Sequence, residues 1–225
     1  DRAKVLSSGK NDPYDTYAYL KKIQDDKGIE SVYFFLLGDR GEFDKNLPHT
    51  NKELQLLINQ ISKYATIGIH PSYGSYLNPK QLEKEIERLN SITNNEVSLS
   101  RKHFLKLSIP ETYRNLEKAG ITNDYSMGYA DNVGFRASIC TPYTFFDVLQ
   151  NKGLNLKIHP FAYMDGTLNE YLGLSIEDAK EKITSLKQQV KEVGGVFIGI
   201  WHNETVNDKG IWKGWREVYE VGMDS

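Results

Sequence analysis

The sequence contains a single cysteine, Cys140. One thiol closes no bridge within a chain, so disulfides contribute nothing to its fold. Basic residues are not in excess: 28 Lys and Arg stand against 30 Asp and Glu, a formal net charge of −2. That balance lacks the electrostatic footprint of a nucleic-acid or anionic-membrane binder. No apolar run approaches the ~18 residues of a membrane span, and there is no internal repeat or low-complexity segment. A phosphate-cradling loop is also missing, because the paired glycines of KEVGGVF (191–197) precede a candidate strand rather than follow one. No signal peptide is visible, but the sequence opens at Asp1 and not at methionine, which leaves leader and compartment open.

What is present is a regular alternation. The 225 residues suffice for one substantial core, and the expectation is a single domain spanning 1–225. Apolar runs at Ser31–Leu37, Ala65–His70, Val97–Leu105, Asp124–Gly128, Leu156–Phe161 and Val196–Trp201 read as strands. Helical segments fall between and beside them: Pro13–Asp26, Asn51–Tyr64, Pro79–Ile92 with proline in its first turn, Pro110–Ala119 stopped by Gly120, and Ser175–Val193 capped by Ser175. Strands apolar on both faces suit a parallel sheet covered by helices. The pattern predicts α/β architecture, either a (β/α) barrel or a doubly wound sheet. The connectors Ser126–Pro142 and Phe161–Gly173 are long, as functional rims often are.

The strand ends carry the chemistry-bearing residues. IGIHPSYGS (67–75) and LKIHPF (156–161) both end an apolar run in His-Pro, and GVFIGIWHNE (195–204) ends one in histidine. Carboxyl ends of parallel strands lie on one face of a sheet, where loops converge. Reading them off gives Asp39, His70, Arg101 with His103, Asp124, His159, and His202 with Asn203 and Glu204, which includes four of the five histidines. Each has a plainer reading as well, as a strand-end cap or a salt-linked loop. Arg101 and His103, two apart, are expected on one strand face. Tyr125, Asp131 and Arg136 can meet sugar hydroxyls, and a histidine such as His202 can act as general acid or base.

The ordered set HPSYGS, QLEKEIERLN, SRKHFL, ETYRNLEKAGITNDYSMGYADNVGFR and WHNE resembles the polysaccharide deacetylase (NodB-homology, carbohydrate esterase family 4) superfamily, in a divergent branch, over nearly the whole chain. The resemblance implies a distorted (β/α) barrel of about six to seven mostly parallel strands and a divalent metal such as zinc. It also implies hydrolysis of N- or O-acetyl groups on a carbohydrate. It casts His70 as a metal ligand, Arg101 as the residue orienting the base, Asp124 as partner of the catalytic histidine, and His202 as that histidine. Tyr73, Tyr125, Arg136, Asn203 and Glu204 fall where substrate would be bound.

Two departures stand out. The family's second metal-binding histidine belongs four residues after His70, where this sequence has Gly74. The paired aspartates of the opening strand are not found in DRAKVLSSGKNDPYD, so the barrel is expected to lack its first strand. His103 is the candidate to replace the lost histidine. The sequence therefore predicts weak metal binding and little acetate release. It leaves two classes open, a metal-dependent carbohydrate deacetylase and an inactive carbohydrate-binding or scaffolding module. A glycosidase using two of Asp39, Asp124 and Glu204 stands behind them.

Overall fold

The computed structural model describes residues 12–224; the reading that the opening DRAKVLSSGKN carries no strand lies outside them. In chain order the helices and strands are α1 (Tyr17–Lys27), β1 (Val32–Phe35), α2 (Lys52–Ile61), β2 (Thr66–Ile69), α3 (Pro79–Thr93), β3 (Leu99–Ser100), α4 (Glu111–Lys118), β4 (Asn123–Asp124), β5 (Tyr143–Asp147), β6 (Lys152–Ile158), β7 (Tyr163–Met164), α5 (Ile176–Glu192), β8 (Gly199–Ile200) and α6 (Trp215–Met223). They form two compact units, one of residues 31–129 and 135–161, the other of 12–30, 130–134 and 162–224.

The first unit is built on a six-stranded sheet of order β1-β2-β3-β4-β6-β5. All its pairings are parallel except β5–β6, an antiparallel hairpin. Leu37, Ile69, Leu156 and Ile158 from the sheet segments and Ile58, Leu89 and Leu116 from the helices are all buried. Helix α3 shows why its sequence is helical. Pro79 opens it behind the Asn78 cap, Leu82, Ile86 and Leu89 line one face, and Asn94 ends it in the left-handed conformation. Gly68 lets Phe34 lie across β2, since a Cβ there would stand 2.5 Å from the Phe34 ring.

The second unit pairs β7 with β8 in parallel, Tyr163 opposite Gly199 and Met164 opposite Ile200. Helices α5 and α6 pack together, and α1 packs on α6. Fully buried Tyr163 anchors an aromatic core, its hydroxyl accepting from Trp201 Nε1 at 3.2 Å. Gly199 admits that ring: a Cβ would meet it at 2.4 Å.

The α/β expectation and the mostly parallel sheet hold, and neither sheet closes on itself among the described residues. The strand readings need correction in detail. There are eight described strands, the six of the sequence reading together with β5 and β7. The run Val97–Leu105 is a strand only at Leu99–Ser100; His103–Leu105 is a 3₁₀ turn. Arg101 and His103 therefore do not share a strand face. Both stand in the loop that follows. Helix α6, with Trp215, Val218 and Tyr219 buried at helical spacing, was also unforeseen.

Candidate functional site

In the first unit, the loops after β2, β3 and β4 are tied into one rim. His70 N–H extends the ladder to Phe35 O at 2.9 Å, and Pro71 then ends it, leaving its carbonyl to accept from His103 N at 3.1 Å. The next turn is fixed from two sides. Fully buried Glu85 of α3 accepts from Ser72 N at 2.9 Å and from the Ser72 hydroxyl, while Asp44 accepts from Tyr73 N (2.9 Å) and Gly74 N (3.1 Å). Lys102 N donates to Ser126 Oγ at 2.8 Å, and its ammonium donates to Ser75 Oγ at 2.7 Å. Burial pulls the Lys102 amine down to about 8, against the opposing charges of Glu85, Asp124 and Asp44.

This rim brings His70, Arg101, His103 and Asp124 onto the ends of neighbouring strands β2, β3 and β4. The two imidazoles lie 5.0 Å apart, centre to centre. His70 Nδ1 meets the Arg101 carbonyl, which only accepts, so the proton sits on Nδ1 and the lone pair of neutral His70 on Nε2. His103 Nδ1 meets Asp44 Oδ1 at 2.9 Å, with the same consequence. The Arg101 guanidinium lies over the Phe34 ring, 5.4 Å from its centre. Asp124 is fully buried and accepts from Ser100 Oγ (2.7 Å), Ser126 N (2.9 Å) and Ser126 Oγ (2.9 Å). Burial raises its carboxyl, against the lowering effect of those bonds and of the Lys102 charge.

Other candidates in this unit are occupied structurally. His159 Nε2 meets Asn123 Oδ1 at 2.8 Å, and its ring stacks on Tyr125 at 4.3 Å and 12°. Asp39 is bound by Arg88 (2.6 Å) and Lys84 (3.0 Å), whose hydrogen bonds lower it to about 2. Its place in a glycosidase pair is therefore taken by α3. Tyr73 is half-buried at the rim, and Arg136 is exposed beside a surface depression lined also by Ile109, Met127, Ile139 and Tyr143.

The second unit holds a pair the sequence reading missed. Asp165 follows β7 and His202 follows β8, so the parallel pairing sets them side by side. His202 Nδ1 lies 2.9 and 3.1 Å from the two Asp165 oxygens. The same carboxylate accepts from His202 N (2.6 Å), Thr205 Oγ1 (2.7 Å) and Gly166 N (2.7 Å). Asp165 is fully buried, whereas the His202 side chain is 40% exposed. Burial alone would raise the Asp165 carboxyl, but the His202 charge and the hydrogen bonds from His202 and Thr205 outweigh it and hold it below the usual range. A π-helical turn, Thr167–Tyr171, begins just beyond, a rare form found often at functional sites.

In its own unit His202 is paired with Asp165, a carboxylate that the sequence reading did not assign to it. Asn203 is spent on structure: its amide donates to Tyr14 O at 2.7 Å and its carbonyl accepts from Thr16 Oγ1 at 2.7 Å. Glu204 lies next in the same 3₁₀ turn, half-buried.

A divalent cation, which the resemblance implies, can be tested against these donors. His70 and His103 are of the right type, each with Nδ1 held by an oxygen as metal-bound imidazoles commonly are. Catalytic zinc takes about three protein ligands. Among the described residues no group of three or more His, Cys, Asp or Glu is arranged to hold a metal. The described residues supply two imidazoles and do not complete the set.

No protein-family profile and no curated protein matches the chain. Among solved structures, a protein of Mycobacterium smegmatis provisionally assigned as a polysaccharide deacetylase superposes with a TM-score of 0.64 at 17% identity, covering 92% of this chain and 70% of its own. A second, from Bordetella bronchiseptica and provisionally assigned as a polysaccharide deacetylase of O-antigen biosynthesis, gives a TM-score of 0.49 at 9% identity, covering 92% and 74%. That second likeness is too slight to bear on the fold. The first establishes that the chain has a polysaccharide deacetylase-like fold. No described helix is long and apolar enough to cross a membrane.

Proposed function

We propose that this chain is a hydrolase of the polysaccharide deacetylase type, which removes acetyl groups from an acetylated carbohydrate. The observation that carries the reading is the Asp165–His202 pair. A buried carboxylate grips one ring nitrogen of a half-exposed histidine, at the carboxyl ends of two parallel strands.

The chemistry follows from the tautomer. Asp165 accepts the Nδ1 proton, fixes the ring plane and stabilises the imidazolium, so proton exchange with a substrate takes place at Nε2. When water adds to the acetyl carbonyl, the C–N or C–O bond to the sugar must break. Nε2 of neutral His202 takes up the proton that the adding water gives up, and its return as Nε2–H to the leaving nitrogen or oxygen makes departure feasible near neutral pH, a contribution of typically 10²–10⁴-fold. The His202 charge and the hydrogen bonds from His202 and Thr205 hold the Asp165 carboxyl low against burial, which favours its ionised form. Thr205 and the backbone N–H groups of His202 and Gly166 fill the remaining lone pairs of Asp165, so the carboxylate cannot swing away. No step is drawn through a metal, because the described residues do not complete a metal site.

Acetate release from N-acetylated chito-oligosaccharides and O-acetylated sugars tests the proposal. Turnover supports it. Saccharide binding with no acetate released would favour a carbohydrate-binding module on the same fold.

A further inference from the structure

Beside the His70–His103 pair stands a group of aromatic rings that none of the chemistry above uses. Phe104 is 61% exposed and Phe43 is 43% exposed, with Tyr73 half-buried between them. Phe43 and Tyr73 lie 4.3 Å apart at 35°. Phe104 stands almost perpendicular to both, 5.9 Å from each, at 84° and 88°. The result is an aromatic corner open to solvent. One wall adjoins the His103 ring, 4.5 Å from Phe104. At the other, Lys106 Nζ sits 3.5 Å from the Tyr73 ring centre and 4.3 Å from that of Tyr76.

The corner is held in place by its surroundings. Asp44, next in sequence to Phe43, binds Tyr73 N, Gly74 N and His103 Nδ1, so one buried carboxylate sets the positions of all three ring-bearing segments. Phe104 and Leu105 both adopt left-handed backbone, φ 56° and 50°. For non-glycine residues that conformation costs on the order of 1–2 kcal/mol each, and residues held in it cluster at ligand clamps and active sites. Burial of Phe104 is not what the strain secures, since the ring faces solvent.

We infer that Phe43 and Phe104, backed by Tyr73, form a stacking subsite for a pyranose ring, next to His70 and His103. A sugar ring presents a face of C–H groups with slight positive charge, complementary to the negative face of an aromatic ring, and a rim of hydroxyls. The imidazoles and the Lys106 ammonium lie where that rim would find hydrogen-bond partners. A protein partner fits less well. Even wholly exposed, three aromatic side chains of about 150–250 Å² each fall short of the ~800 Å² per partner of a stable interface. The inference rests on the carbohydrate reading given above and extends it to a named subsite.

The test is binding of N-acetylchitotetraose by the whole chain, measured by calorimetry, for wild type, Phe104→Leu, Phe104→Trp and Phe43→Ala. Leucine keeps the apolar bulk and removes the π face; tryptophan keeps the face. The expected result is about tenfold weaker binding for Phe104→Leu and Phe43→Ala, the size of one lost aromatic contact, with Phe104→Trp close to wild type. Equal affinity of wild type and Phe104→Leu overturns the subsite, as does a wild type that binds no saccharide. Concentration-dependent self-association abolished by Phe104→Leu, without saccharide binding, would give the surface to a second copy of the chain and overturn it too. The two readings fail separately. Binding that depends on Phe104 but yields no acetate keeps the subsite and refutes the hydrolase. Acetate release with binding indifferent to Phe104 does the reverse.

Discussion

Both oxygens of Asp165 lie within 3.1 Å of His202 Nδ1, and the two residues occupy the carboxyl ends of neighbouring parallel strands. A carboxylate with four hydrogen-bond donors from three residues and no exposure is committed both to the fold and to the histidine.

The first prediction concerns its contribution to stability. Its folded-state carboxyl is held below the ordinary value of 3.8, so the unfolded chain binds its proton first as pH falls. The stabilisation is complete above about pH 4 and is lost as pH drops through the folded value. Asp165→Asn should destabilise by roughly 1–3 kcal/mol at pH 7, because the amide nitrogen cannot accept from the donors that the carboxylate oxygen satisfied. The deficit relative to wild type should shrink below pH 4. Urea unfolding at pH 7 and pH 3 checks this, and a deficit independent of pH would contradict it.

Lys102 gives the opposite dependence. Its amine is lowered to about 8 in the folded chain against 10.5 in the unfolded chain, chiefly by burial. Between those values the unfolded chain binds more protons, so this group makes stability rise with pH there. Below pH 8 the buried charge costs about 3 kcal/mol. Lys102→Met should therefore raise stability at pH 7, by about 1–3 kcal/mol, and remove the rise between pH 8 and 10. Chemical denaturation at pH 7, 8.5 and 10 measures both. A destabilised variant at pH 7 would show that the bond to Ser75 Oγ outweighs desolvation.

Much of the first unit was legible because its strands announce themselves. SVYFFLL and ATIGIH are apolar runs, and the residue that ends the second, His70, is where its spacing places it. What escaped was held by short or distant pieces. Asp165 follows a strand of two residues, YM, too short for any periodicity to register. Asp44 lies in the irregular stretch GEFDKN, 59 residues from the histidine it orients, and nothing local marks that contact. Two omissions did leave signals. Trp215, Val218 and Tyr219 are spaced as one helix face, and YTFFD followed shortly by NKG is a hairpin pattern. The run SLSRKHFL failed as a strand because Phe104 and Leu105 take left-handed backbone, which no alternation of side chains encodes.

A third prediction concerns zinc. With His70 and His103 as donors, their rings 5.0 Å apart, zinc binding should depend on both rings. Titration followed by histidine NMR signals should show His70 and His103 shifting together. His103→Ala should abolish the effect at His70. Zinc-induced shifts at His70 that survive His103→Ala would contradict this expectation.

A fourth tests packing in the first unit. A Cβ on Gly128 would stand 2.2 Å from the fully buried Phe161 ring. Gly128→Ala should cost about 1–3 kcal/mol by overpacking. Adding Phe161→Leu, which trims the ring, should recover part of the loss. A double variant no better than the sum of the singles would place the strain elsewhere.

The central claim is that His202, held by Asp165, transfers the proton in acetate release from a carbohydrate. The direct measurement is kcat/KM for acetate release from N-acetylchitotetraose by wild type and His202→Gln, with and without added zinc, both variants shown to be folded. The account predicts turnover by wild type and a fall of about 10²–10⁴-fold on removing the imidazole. Equal rates for the two proteins, or no release by wild type under either condition, would contradict it.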